Sequence, residues 1–330
     1  MLSLEVIGQF AELLQLKTEW SQLLESSPEV TPFQLPAWLL TWWRHFGGSE
    51  LHTFVFRNSS KLVGIIPCFR HEWEGKRQLT LLGSGISDYL EPAIGEAHHA
   101  EAMNVLAEFL RRDRDWDICN WQDLNVNTPL QLLTSGDEFT VSLQPDTDCA
   151  ETIFRGGFGQ WYERRPHGLR RNVRRYLERA RSIGEPEFCV IREAEPELVE
   201  ALIALHAARW QKRGESGMIA RNCSALFLRE VLASFAARDM LRFFILRFRG
   251  EVAAVIAAFP YRNALFSYLS AFDPQYEQLG FGRILLYYSL RHAFQLRYES
   301  WNFLRGSEPY KFDWGARRIP KCRVIVTRNA

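Results

Sequence analysis

Three apolar runs, Leu241–Phe248, Glu251–Phe259 and Ala264–Ala271, follow one another with only Arg249-Gly250 and a short turn ending in Arg262-Asn263 between them. Strand-length runs separated by turn pairs leave room for hairpins and little else, so the spacing predicts an antiparallel meander. The segment after it narrows the choice of fold further. QLGFGR, Gln278–Arg283, carries Gly280 and Gly282 and opens an apolar run of helical length, Ile284 to Arg297, before Ser300–Leu304 reads as a strand again. A glycine loop rich in free N–H groups that enters a helix N-terminus can hold an anion, most usefully a pyrophosphate. The segment lacks the G-x-x-x-x-G-K-[ST] of a P-loop and the third glycine of the dinucleotide fingerprint. Triphosphate and NAD readings are thereby weakened.

The first half of the chain repeats this order of elements without repeating its sequence. Leu2–Ile7 alternates like a strand, and Phe10–Leu24 and Pro36–Phe46 have helical spacing. Leu51–Phe56, Lys61–Phe69 and Gln78–Leu82 read as strands, Ala97–Arg111 as a helix and Trp116–Trp121 as a strand. In the second half, Glu187–Ile191 is a strand, Pro196–Trp210 and Ala225–Ala237 are helices, and Cys322–Val326 supplies a last strand after the meander, helix and strand already described. At 330 residues the chain exceeds the usual size of one core. The polar stretch SGDEFTVSLQPDTDC places the boundary near residue 150, giving modules 1–150 and 151–330. The fold class expected is α+β, mixed α/β, in two similar modules.

A formal charge of +1 gives no global attraction to nucleic acid or an anionic membrane, so any basic site must be local. One such place is RRPHGLRRNVRRYLERARSIG, where Leu169, Val173, Tyr176, Leu177 and Ala180 share a helical face and arginines, Arg171 and Arg175 among them, cover the rest. That face is either simply solvated or a site for phosphates. Trp38, Trp42 and Trp43 at helical spacing point to core packing ahead of a ligand shelf. Asp88-Tyr89 in LGSGISDYLEP fits a turn with an Asx hydrogen bond. The six scattered cysteines form no C-x-x-C pair and no zinc spacing, so no metal is expected and the thiols read as reduced. With no basic leader and no apolar run long enough to span a bilayer, the expectation is a cytoplasmic protein without membrane insertion.

The glycine loop in its strand-loop-helix setting resembles the pyrophosphate loop of the GNAT acetyltransferases. It differs in having Glu277 where that pattern has glutamine or arginine, with Gln278 one place later, and Phe281 where a proline often stands. Five segments carry a resemblance through most of the chain: FQLPAWLLTWW, LGSGISDYLEP, LRRNVRRYLERA, FDPQYEQLGFGRILL and, most specific, LRGSEPYKFDWGA. Together they resemble the GNAT-like acetyltransferases of the CelD type, associated with bacterial cellulose and exopolysaccharide biosynthesis. The last segment is also similar to a late lysine motif of the Fem-type peptidyltransferases, which are tandem GNAT proteins.

The resemblance implies two tandem GNAT-like acyl-CoA N-acyltransferase modules and transfer from acetyl-CoA, or a related acyl-CoA, to an amine or hydroxyl. The acceptor implied is a small molecule or glycan-linked envelope precursor. Gln278, Gly280, Phe281, Gly282 and Arg283 are then the acyl-CoA loop. Asp88 is the candidate for acceptor binding or proton removal, Tyr310 for donating to the departing thiolate and Lys311 for stabilising negative charge. Tyr89, Arg171, Arg175 and Arg305 are candidates for the acceptor or its phosphates; Lys311 and Arg305 also fit a surface salt bridge. Rival readings are a Fem-like enzyme using aminoacyl-tRNA, a non-catalytic scaffold of a polysaccharide-synthesis complex, and a nucleic-acid module that the balanced charge supports poorly.

Overall fold

The computed structural model describes residues 1–27, 29–212, 214 and 222–329. They condense into two units, Met1–Thr147 with Pro320–Ala330, and Asp148–Ile319.

The first unit runs through β1 (Leu2–Ile7), α1 (Phe10–Gln15), α2 (Lys17–Glu25), α3 (Pro36–Phe46), β2 (Glu50–Leu51), β3 (Thr53–Asn58), β4 (Lys61–Ile66) and β5 (Cys68–Trp73). It continues with β6 (Lys76–Leu81), β7 (Ala93–Ile94), α4 (His99–Arg112), β8 (Ile118–Asn125) and β9 (Phe139–Pro145). The strands fall into two sheets, β1-β3-β4-β7 and a larger one that begins β2-β5-β6-β8. The run Lys61–Phe69, expected as one strand, is two. Pro67 has no N–H to give to a ladder, and it hands the chain from the first sheet to the second. The single helix expected over Phe10–Leu24 is likewise interrupted, at Leu16. α3 opens on Pro36, whose missing N–H is one of the orphans of a first turn, and it buries Trp38, Leu39, Leu40 and Trp42. Trp38 is wholly buried and its indole N–H donates to Ser87 Oγ at 2.8 Å. Trp38 and Trp42 are core, as helical spacing predicts, whereas Trp43 is only half-buried.

The second unit holds β10 (Cys149–Ile153), α5 (Phe158–Glu163), α6 (His167–Arg181), β11 (Glu187–Ile191), α7 (Pro196–Gln211) and α8 (Asn222–Ala236). After them come β12 (Arg242–Phe248), β13 (Glu251–Tyr261), β14 (Ala264–Phe272), α9 (Phe281–Gln295), β15 (Ser300–Arg305), α10 (Pro309–Asp313) and β16 (Arg317–Ile319). One sheet contains its strands in the order β11-β12-β13-β14-β15-β10-β16. The meander is present at β12-β13-β14, closed by turns in which Arg249, Gly250, Arg262 and Asn263 all take positive φ, the geometry that a tight two-residue hairpin requires. α6 packs on α9 through a stripe of Leu169, Val173 and Ala180. Burying a side chain such as Leu169 contributes about 1.5–3 kcal/mol.

The last strand, β17 (Lys321–Arg328), follows β16 in the chain but pairs with β8 and β9, completing the first unit's larger sheet as β2-β5-β6-β8-β17-β9. β10 occupies the matching place in the second unit, between β15 and β16. Each sheet thus receives its penultimate strand from the chain segment adjoining the other unit. Sequence order sets this last strand with the second half; its partners are fixed by long-range pairing.

Candidate active site

The second unit's sheet opens between β14 and β15. These neighbours run parallel and pair at only three positions, Ala264 with Ser300, Leu265 with Trp301 and Phe266 with Asn302. Beyond them, β14 keeps company with β13 alone, and a bulge at Tyr268 bends it, because Ala257 faces Leu269 while Ala258 faces Ser267. A cavity of about 260 Å³ lies against this diverging edge. Ser267, Ser270 and Phe272 of β14 line one side, Phe303 and Tyr310 another, and Gly280 to Arg283 a third.

The glycine loop meets the cavity at the N-terminus of α9. Gly280 caps the helix in the left-handed region at φ +64, with no side chain bonded to the first turn and no acidic residue in it. Arg283 and Ile284 N–H return to the Gly280 carbonyl at 2.9 and 3.1 Å, so the amides of Phe281 and Gly282 precede the first helical bond. Uncapped amides and the positive end of the helix dipole suit an anion. Both glycines also have reasons within the molecule. A Cβ on Gly280 would meet the Tyr176 ring at 2.6 Å, and one on Gly282 would meet Phe272 Cδ1 at 3.2 Å. The Tyr176 ring carries guanidinium groups 5.5 Å (Arg175) and 5.9 Å (Arg283) from its centroid.

Two further groups enter the cavity. Arg209, from α7, donates from Nη1 to the Ser270 carbonyl at 3.2 Å and stands 5.4 Å over the Phe272 ring. Tyr310 keeps 39% of its surface accessible, yet desolvation by the atoms around its phenol, and after it the Glu308 carboxylate, push it up to about 12, with Arg209 opposing. The phenol therefore carries its proton at neutral pH and can give a hydrogen bond to developing negative charge. Glu277 also lines the cavity and pairs with Lys212.

The structure brings Gly280, Phe281, Gly282, Arg283 and Tyr310 to one cavity. Phe281 contributes backbone only, since its ring is buried against Phe248 and Tyr276. Gln278 is exposed, and its carbonyl accepts from Arg179 at 3.3 Å. Arg171 and Arg175 lie exposed on α6. Arg305 ends β15 and its carbonyl faces Lys311. Lys311 is 2% exposed, so the surface salt bridge open to it from sequence does not describe it; its ammonium is enclosed by backbone carbonyls and Glu308. Asp88 and Tyr89 belong to the first unit, between β6 and β7. Tyr89 is buried there, stacked on Phe33 at 6.3 Å and 4.0 Å beneath the Lys321 ammonium. Sequence reasoning missed Arg209, Tyr176, Phe272 and Phe303. Arg209 left no signal, being one basic residue at the end of an ordinary helix, whereas the arginine-flanked Tyr176 was legible as part of the α6 pattern. Among the described residues no group of three His, Cys, Asp or Glu is placed to hold a metal.

Residues 167–312 match the model of the family described as Acetyltransferase (GNAT) domain, a span from α6 to α10 that contains every cavity residue named above. The second unit therefore carries a GNAT-type acyltransferase domain. The chain's fold is mixed α/β with GNAT-like modules in tandem, the class that the element order predicts. Among solved structures, FemX is similar with a TM-score of 0.65 at 11% identity, over 93% of this chain and 95% of that one. A conserved protein of unknown function from Bacteroides thetaiotaomicron VPI-5482 reaches 0.62 at 12% identity over 99% and 100%. The C-terminal domain of a putative lysylphosphatidylglycerol synthetase from Agrobacterium fabrum reaches 0.56 at 10% identity over 98% and 93%. At such identities the likeness is one of fold. No curated protein matches the sequence.

Proposed function

We propose that the second unit transfers an acetyl or other acyl group from acyl-CoA to an amine or hydroxyl on a small or glycan-linked acceptor. The CelD-type resemblance makes the acceptor a sugar-linked envelope or exopolysaccharide precursor. The observation that carries this reading is the open strand edge of β14 leading to an uncapped helix N-terminus inside one cavity. The chain's residues suit such a donor: amides of Phe281 and Gly282 with Arg283 for diphosphate oxygens, and the β14 edge for an extended amide-bearing arm. The Tyr310 hydroxyl, protonated at neutral pH, donates to the leaving thiolate. Asp88 is proposed on the acceptor side, and Arg305 for an acceptor phosphate or carboxylate.

A second reading, an aminoacyl-tRNA donor as in Fem-type enzymes, is favoured by one specific arrangement. The Tyr176 ring already covers Gly280, where a diphosphate would approach, and the arginine face of α6, with Arg171 and Arg175, stands beside that loop. A purely structural scaffold is disfavoured by a cavity of about 260 Å³ left open at the strand edge. The deciding experiment is a thermal-shift and titration panel with acetyl-CoA, longer acyl-CoAs, free CoA and charged tRNA. Saturable stabilisation by acyl-CoA supports the first reading. Stabilisation by charged tRNA alone replaces it with the second.

A further inference from the structure

The end of β15 is held in a shape that a strand does not take unaided. β10 pairs Ala150 with Leu304 and then Glu151 with Asn302, which makes Phe303 the extra residue of a bulge. Leu304, buried, has φ +61, a left-handed conformation that a residue with a side chain adopts only when its surroundings impose it. Its N–H is held by Asn302 Oδ1 at 2.8 Å. Past the bulge the carbonyls of Leu304, Arg305 and Gly306 turn toward one point, and the Lys311 ammonium sits there at 3.3, 2.5 and 3.2 Å. Glu308 Oε2 adds a fourth oxygen at 2.9 Å. An ammonium has three N–H donors, so these four acceptors exhaust it. Its charge is already answered where it stands, and it could meet a substrate only by giving those partners up.

The residues that this arrangement holds do line the cavity. Phe303 reaches it from the bulge and Tyr310 from the first turn of α10, and their rings meet edge to face at 6.2 Å and 86°. Tyr310 directly precedes Lys311 in α10, and Glu308 stands at the N-cap of that helix. We infer that Lys311 is a positioning residue: its ammonium fastens the bulged end of β15 to α10 and so fixes the Tyr310 hydroxyl in the cavity. The inference rests on the role given to Tyr310 above. It differs from a lysine that touches substrate, because all of its effect must pass through the tyrosine.

A double-mutant cycle separates the two. Lys311→Met should lower turnover about 10-fold to 100-fold with the donor KM within about 3-fold, because a misaimed donor loses transition-state contact while ground-state binding remains. In the Tyr310→Phe background the same change should cost less than about 2-fold, since coupled groups are not additive. Losses that multiply across the two backgrounds, or wild-type turnover in a folded Lys311→Met, overturn the positioning role. Wild-type turnover in Tyr310→Phe alone is a different failure, for it removes Tyr310 from the chemistry first. Should Lys311→Met not fold, Glu308→Gln takes its place, its side chain being 57% exposed. It keeps an acceptor and loses the charge. A loss of about 3-fold or more that vanishes in the Tyr310→Phe background upholds the inference, and an equal loss in both backgrounds, or none in either, overturns it.

Discussion

Both units contain a parallel pair that touches at three positions, β6 with β8 through Gln78–Ile118, Leu79–Cys119 and Thr80–Asn120, and β14 with β15 through Ala264–Ser300, Leu265–Trp301 and Phe266–Asn302. The space beyond the pair differs. Past β6, Trp20, Leu39, Leu81, Leu82 and Leu90 fill it until about 10 Å³ remains, roughly the room of one water. Past β14 about 260 Å³ stays open. The helices differ in the same sense. α4 carries Glu101 in its first turn, already bonded to the Leu2 N–H at 2.8 Å, whereas α9 starts on a bare Gly280 with Arg283 in its first turn. The same parallel junction therefore borders a filled space in one unit and an anion-receptive cleft in the other, although the first unit divides its strands between two sheets and the second keeps one, and the choice at the junction is made by the handful of side chains that fill it or leave it open.

The largest test of this contrast is Tyr310→Phe. It should lower turnover roughly 10²-fold to 10³-fold with donor affinity unchanged, measured by acyl-donor consumption alongside binding. A mild effect would put the chemistry elsewhere in the cleft. Next comes Glu91, at the small void of the first unit. Burial pushes its carboxyl from 4.5 up to about 7, with Lys321 opposing and Glu29 reinforcing, although its Oε2 accepts the Asn125 N–H at 2.8 Å. Here the folded state binds the proton more tightly than the unfolded chain. Stability is therefore lost as pH rises from about 4.5 to 7, by something on the order of 3 kcal/mol. Glu91→Gln keeps an acceptor and removes the charge, so its melting temperature relative to wild type should climb between about pH 5 and pH 8. A constant difference would mean that the first unit's core is wetter than its packing implies.

Smaller again, Gly282→Val should weaken donor binding about 10-fold to 100-fold in a folded protein, since its Cβ displaces Phe272 by only a few tenths of an ångström while its methyls crowd the α9 amides. Titration calorimetry with acetyl-CoA reads the effect, and unchanged affinity would take the donor away from this loop. The smallest change expected is for Asp88→Asn, about 10-fold in kcat/KM for the acceptor with donor affinity unaltered. Full activity in that variant would remove Asp88 from the reaction.

Much of the second unit could be read from local sequence. The three meander strands lie within a couple of residues of where the spacing puts them, because Arg249-Gly250 and Arg262-Asn263 state their turns openly. The cleft was legible through Gly280 and Gly282, and Tyr310 through its unusual motif. The parts that stayed hidden depend on partners distant in sequence. Pro67 splits a strand between sheets, β9 and β10 lie in a stretch whose polarity reads as a linker, and nothing in Lys321–Arg328 says which ladder it joins. Lys311 shows the same limit in a side chain. A lysine in a polar string reads as surface, and only the convergence of three carbonyls makes a buried place for it.

The exchange of penultimate strands also sets an order of events in time. A chain emerging from the ribosome can pair β2, β5, β6 and β8 early, but β17, the strand that bridges β8 and β9, is made some 180 residues after β9, at roughly 5–20 residues per second. For roughly ten seconds or more the ladder edges of β8 and β9 that β17 later covers stay unpaired, and β9 has no other strand partner among the described residues. Those edges are a template for any passing strand, a neighbouring copy's included. A stop codon ahead of Lys321 would make that interval permanent while leaving every residue of the cleft in place.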